Sequence, residues 1–218
     1  MKTIVALILS SVPLLAGLHF PAPSFDWTAC NTAGKSVPVY LHPGDLGTLD
    51  LPQYGDRPTY VAFFTTQNET NVLGDLRGKV ITARFRVEAD TTTTYGIGFG
   101  NGPATIRLYF TSVAGNFDFN DSDSKHPSSY WWNGPSAITF DTADGFTDVT
   151  LTATMSIAGG WTDSHSGTDL TAFAAAASNV RQIGFSFGGT DKNWEVGANA
   201  VCPVGKEATV HIWSITAQ

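Results

Sequence analysis

Phe146-Thr147-Asp148-Val149-Thr150-Leu151-Thr152-Ala153-Thr154-Met155 is the stretch that decides the fold class. Val149, Leu151, Ala153 and Met155 alternate with Asp148, Thr150, Thr152 and Thr154. Successive side chains of an extended chain point to opposite faces, so the segment reads as a strand with one buried side and one wet side. A helix would scatter the same residues around its circumference. Upstream, Lys79 to Glu88 repeats the pattern. Ile81, Ala83, Phe85 and Val87 make one face, and Thr82, Arg84, Arg86 and Glu88 make the other.

Working outward, the alternation recurs at Tyr95, Ile97 and Phe99, and again at Ile106, Leu108 and Phe110 set against Thr105, Arg107 and Tyr109. Asn101-Gly102 between these runs is a hairpin signal. Thr59 to Thr65 is apolar on both parities, as in a strand covered on both faces. Ile183, Phe185 and Phe187 follow, and Thr209 to Thr216 closes the pattern. Earlier, Gly17 to about Arg57 is rich in Pro and Gly, with one short strand expected at Val37–Leu41. One helix is predicted, over Asp169–Ala177, with Thr168 as N-cap and Leu170, Phe173, Ala174 and Ala177 as its apolar stripe. Many strands and one short helix exclude an α/β architecture. The expected fold is all-β, a two-sheet antiparallel β-sandwich of jelly-roll type with one short helix. No internal repeat or linker interrupts residues 18–218, which are read as a single domain.

The chain has 218 residues, 42% hydrophobic and only 14% charged, with a net charge of −7. Such a composition supports a large core and excludes charge-driven disorder. A phosphate-tracking or anionic-membrane surface needs clustered cations, and the densest basic stretch is Arg84-Phe85-Arg86, so no nucleic-acid partner is expected. Met1-Lys2 followed by an apolar run to Ala16 predicts a signal peptide over residues 1–17, hence a secreted protein without a transmembrane span in the mature chain. In an oxidising compartment the two cysteines, Cys30 and Cys202, are expected to pair.

The order of elements in the second half carries a resemblance. The strand FTDVTLTATM leads to the loop Gly160-Trp161-Thr162-Asp163. A short Ala/Phe helix comes next, then Asn179-Val180-Arg181-Gln182-Ile183-Gly184-Phe185-Ser186-Phe187 and a last strand at Ile212-Trp213-Ser214-Ile215. From about Lys79 to Gln218 this resembles the galactose-binding-like jelly rolls, the architecture of many carbohydrate-binding modules of secreted glycan-degrading enzymes. The resemblance implies a glycan-binding role. It departs at Ser214, which stands where an acidic residue is usual in that family, so the calcium site of many members is not carried over.

Tyr130-Trp131-Trp132 follows a polar loop, and Trp161 lies in another. Aromatic faces stack on the C–H-rich faces of sugar rings, so Tyr130, Trp131, Trp132 and Trp161 are the candidate ligand contacts. Adjacent strand residues face opposite ways, which requires one of Trp131 and Trp132 to be core. Asp118, Asn120, Asp121 and Asp123 alternate as Ca²⁺ ligands can, yet the run lacks the Gly and distant Glu of an EF-hand and reads as a solvated loop. No cofactor is expected. Gly184-Phe185-Ser186-Phe187-Gly188 matches a nucleophile-elbow pattern literally, but it lies inside an alternating strand with no helix after it. Glu88, with Asp90 close by, is the carboxylate best placed to line a sheet face, and the five histidines show no zinc spacing. The expected function is a secreted non-catalytic binding domain for carbohydrate. The alternatives are a glycoside-active enzyme using Glu88 and a second acid, or a self-associating extracellular structural protein.

Overall fold

The structure is a computed structural model and describes residues 22–23, 26–53, 60–98, 103–115, 127–164, 167–190, 194 and 196–218. The predicted leader 1–17, the Asn101-Gly102 turn and the acidic run Asp118, Asn120, Asp121 and Asp123 lie outside the described residues. In chain order the strands are β1 (Ala22–Pro23), β2 (Trp27–Cys30), β3 (Ser36–Val37), β4 (Tyr40–Leu41), β5 (Gly47–Asp50), β6 (Phe63–Thr66), β7 (Val80–Glu88) and β8 (Thr94–Ile97). They continue as β9 (Thr105–Thr111), β10 (Tyr130–Asn133), β11 (Ile138–Thr139), β12 (Phe146–Thr154), β13 (Trp161–Asp163), β14 (Gln182–Gly188), β15 (Ala198–Val201) and β16 (Thr209–Ala217). One α-helix, α1 (Leu170–Ala177), precedes β14.

Two antiparallel sheets face each other, as the alternation requires. Sheet I runs β1-β4-β5-β16-β7-β12, and sheet II runs β13-β10-β9-β14-β6-β2-β3 with β11 also on β9. The apolar parity of β7 is buried and its polar parity is not, residue by residue. Between the sheets the two sets of inward side chains interlock, with the Phe85 ring meeting Phe185 edge-on at 5.0 Å. Full burial of each such side chain stabilises the fold by about 1.5–3 kcal/mol. Trp27, packed against both Phe64 and Phe185, extends this core.

Three expectations are corrected. Among the described residues β8 does not pair with β9: β8 pairs with β15 in a separate two-stranded sheet, while β9 pairs with β10, β11 and β14. Side-chain alternation marks a strand but carries no information about its partner. Cys30 and Cys202 are not joined by a disulfide. Cys30 packs with Ala62, Phe63 and Tyr109 on the outer side of sheet II, whereas Cys202 packs against the main core. The helix begins one residue later than expected, with Asp169 as N-cap, and Leu170 is exposed while Phe173, Ala176 and Ala177 face inward. The Asp169 carboxylate accepts from the Thr171 and Ala172 amides at 2.7 and 2.9 Å, satisfying two donors that the first turn leaves open. Asp169→Ala is therefore expected to cost about 1 kcal/mol, read as a melting temperature lower by about 2–4 °C in a calorimetric scan.

Candidate functional site: the outer face of sheet I

Strand register assembles a site that no local motif announces. Tyr40 lies opposite Thr48, Thr48 opposite His211, His211 opposite Arg86 and Arg86 opposite Asp148. These five side chains form one row across five strands, about 19 Å long at the usual strand spacing. Two residues further along the strands, Asp50, Thr209, Glu88 and Phe146 form a second row. Because residues two apart share a face, both rows belong to the outward side of sheet I. Above them opens a cleft of about 1030 Å³ whose lining includes Tyr40, His42, Arg86, Glu88, Phe146 and His211. Asp90, Lys206 and Glu207 add charge to the same lining.

Arg86 is held in the cleft by contacts on two sides. Its Nε and Nη2 donate to the two carboxylate oxygens of Asp148 at 2.6 and 3.0 Å, a fork-to-fork geometry that fixes the guanidinium plane. The guanidinium carbon lies 4.3 Å from the ring centre of Phe146 and 5.1 Å from that of Trp213, within the range of cation–π attraction. Trp213 continues the outward parity of Thr209 and His211, and the register shift after Ile212 sets Ser214 rather than Trp213 opposite Arg84. Phe146 is 47% exposed, so its ring is open to the cleft.

Hydrogen bonding and charge from Arg86 hold the Asp148 carboxyl below its ordinary range, and Asp148 in turn raises Arg86. A carboxylate depressed in the folded state adds stability that is present above its unfolded pKa of about 3.9 and is lost as pH falls through the folded value. Urea midpoints of the natural chain and Asp148→Asn are thus expected to differ at neutral pH and to converge below about pH 4. The difference should also shrink in 1 M salt, since the pair is solvent-facing.

A second polar pair lies at the other side of β16. His211 Nδ1 is 2.8 Å from Asp45 Oδ2, and the Thr48 hydroxyl donates to the same oxygen at 2.8 Å. The side chains are 17% and 8% exposed for His211 and Asp45. His42 meets the His211 ring edge-on at 5.6 Å.

The residues singled out from sequence separate into two groups. Tyr130, Trp131, Trp132 and Trp161 are all buried, at 5%, 0%, 2% and 0% exposure, so none presents a ring face to solvent. Trp131 and Trp161 point into the inter-sheet core, with Phe173 between them. Tyr130 and Trp132 occupy the opposite parity and join Phe63 and Tyr109 in a cluster outside that core. The expectation that one of the adjacent tryptophans must be core is met by Trp131, while the expected exposed platform is corrected. Glu88 and Asp90 do line the cleft. Ser186 is fully buried within β14, with no elbow around it. Sequence reading missed Tyr40, His42, Asp45, Asp50, Arg86, Phe146, His211 and Trp213 as a group. One signal was available: Phe146 and Arg86 occupy the wet parity of clean strands.

Among the described residues no three His, Cys, Asp or Glu side chains converge as a metal site. No helix among them is long and apolar enough to cross a membrane. No protein-family model, curated protein sequence or solved structure matches the chain.

Proposed function

We propose that the chain is a secreted, non-catalytic carbohydrate-binding domain whose ligand occupies the cleft on the outer face of sheet I. The observation that carries this reading is the Arg86 guanidinium held against the Phe146 and Trp213 rings beside Glu88 and Asp50. A sugar ring offers an apolar C–H face to an aromatic ring and adjacent hydroxyls to planar charged groups, and the cleft holds both in one place. Export rests on the leader pattern. Retention on insoluble cellulose, chitin, xylan and mannan tests the reading. One of these should deplete the protein from solution, and Phe146→Ala or Arg86→Ala should weaken retention about tenfold or more, as central contacts do. Equal retention of both variants would reject the cleft as the site.

A second reading has its own support. Asp50 and Glu88 flank Thr209 in a single row on the outward side of sheet I, and both line the cleft. Paired carboxylates of inverting glycosidases stand about 6.5–9.5 Å apart. Release of reducing ends from the retained polysaccharide, abolished by Glu88→Gln, would make the domain glycoside-active.

A further inference from the structure

The geometry points to a preset hydrogen-bond acceptor in the cleft. His211, held by Asp45, turns an unprotonated Nε2 toward the ligand and accepts a hydrogen bond from a ligand hydroxyl there. Asp45 is the positioning residue. The inference rests on the reading of the cleft as a ligand site and names the polar contact that would select the ligand.

An ionised carboxylate only accepts hydrogen bonds. With Asp45 Oδ2 at 2.8 Å from His211 Nδ1, the ring proton therefore belongs on Nδ1. In the neutral ring the lone pair is then on Nε2, and the partner of one nitrogen thus sets the role of the other. His211 lines the cleft while Asp45 is nearly buried behind it, so the Nδ1 edge points away from the opening.

The support around Asp45 is built in at several points. Thr48 Oγ1 donates to the same carboxylate oxygen at 2.8 Å, and Thr48 is the residue opposite His211 in the register. The turn carrying Asp45 closes through its own amide, which donates to the His42 carbonyl at 3.0 Å. That turn needs Gly44 at a φ of 93°, a conformation disfavoured for residues with a Cβ. Next along the chain, the Leu46 amide donates to the Ile212 carbonyl at 2.7 Å, pinning the segment to β16 beside His211. The His42 ring stands nearly perpendicular to His211, at 5.6 Å between ring centres. A ring fixed by this many contacts loses little further freedom when a ligand engages it.

Nitrogen NMR of the full chain labelled at histidine, at about pH 8 where an ordinary imidazole is neutral, reads the state of His211 directly. The expected result is a protonated Nδ1 and an unprotonated Nε2. Asp45→Ala and the milder Thr48→Val should each shift His211 toward the mixed tautomers of free imidazole. Titration with β-1,4-linked hexasaccharides of glucose, mannose and xylose gives the second measurement. The hexasaccharide that binds should do so about tenfold more weakly to Asp45→Ala, with circular dichroism unchanged. A His211 protonated at Nε2 in the natural chain, or affinity unaltered by both variants, would overturn the inference. Failure of every hexasaccharide to bind would instead reject the carbohydrate reading, while the NMR result would still decide the state of His211.

Discussion

Trp161→Ala is expected to lower the free energy of unfolding by about 3–5 kcal/mol, the range for truncating a fully buried large aromatic residue. The indole is 0% exposed and meets Phe110 edge-on at 5.0 Å and Phe173 at 6.5 Å. Its Nε1 donates to the Thr154 carbonyl at 2.8 Å. Thr154 ends β12 in sheet I, whereas Trp161 begins β13 at the edge of sheet II. One side chain therefore fills the core and ties the margins of the two sheets together. Trp161→Phe keeps most of the packing but loses the donor, and its expected cost is smaller, about 1–3 kcal/mol. Urea unfolding followed by circular dichroism separates the two. An alanine variant within 1 kcal/mol of the natural chain would mean that the site collapses freely around the gap.

Arg107→Ala is expected to cost about 3 kcal/mol or more, although its position in an alternating strand reads as solvent-facing. Arg107 is only 1% exposed. Its Nη2 donates to the Gly189 carbonyl at 2.6 Å and to Thr105 Oγ1 at 2.7 Å, and Trp194 stacks on the guanidinium at 4.6 Å. Hydrogen bonds from a charged donor are worth about 1.5–3 kcal/mol each, and truncation leaves their buried acceptors behind. Lysine at this position keeps the charge but not the planar fork, so Arg107→Lys should fall between alanine and the natural chain. Urea midpoints of the three proteins check the order. Near-equality of alanine and arginine would show that water replaces the guanidinium at no cost.

Arg107 also shows where reading the sequence stops. Alternation in β9 correctly assigned Ile106, Leu108 and Phe110 to one face and Thr105, Arg107 and Tyr109 to the other. Yet all seven residues of that strand are buried. Periodicity reports which side chains share a face, and it cannot report whether other segments cover the second one. The same limit hid the tryptophans. Parity separated Trp131 from Trp132, but the burial of both depends on elements distant in sequence. For the cleft the obstacle is register. Glu88 was legible because its own strand displays it on the wet side. His211 and Asp45, 166 residues apart, come together only because β16 pairs with β5, and nothing near either residue encodes that alignment. Apolar alternation is a local property and survives reading one residue at a time. Lateral adjacency in a sheet is a property of the whole chain.

Among the described strands β16 comes last in sequence, yet it lies between β5 and β7 in sheet I. As the chain leaves the ribosome, sheet I cannot be completed in order of synthesis. β5 and β7 must wait, with a vacant lane between them, until nearly every other strand has emerged. Pairing over such separations makes for slow folding, in milliseconds to seconds, and leaves open strand margins exposed to unwanted partners meanwhile. Sheet I therefore stays open between β5 and β7 until residues 209–217 have emerged, and β16 is the strand that closes it.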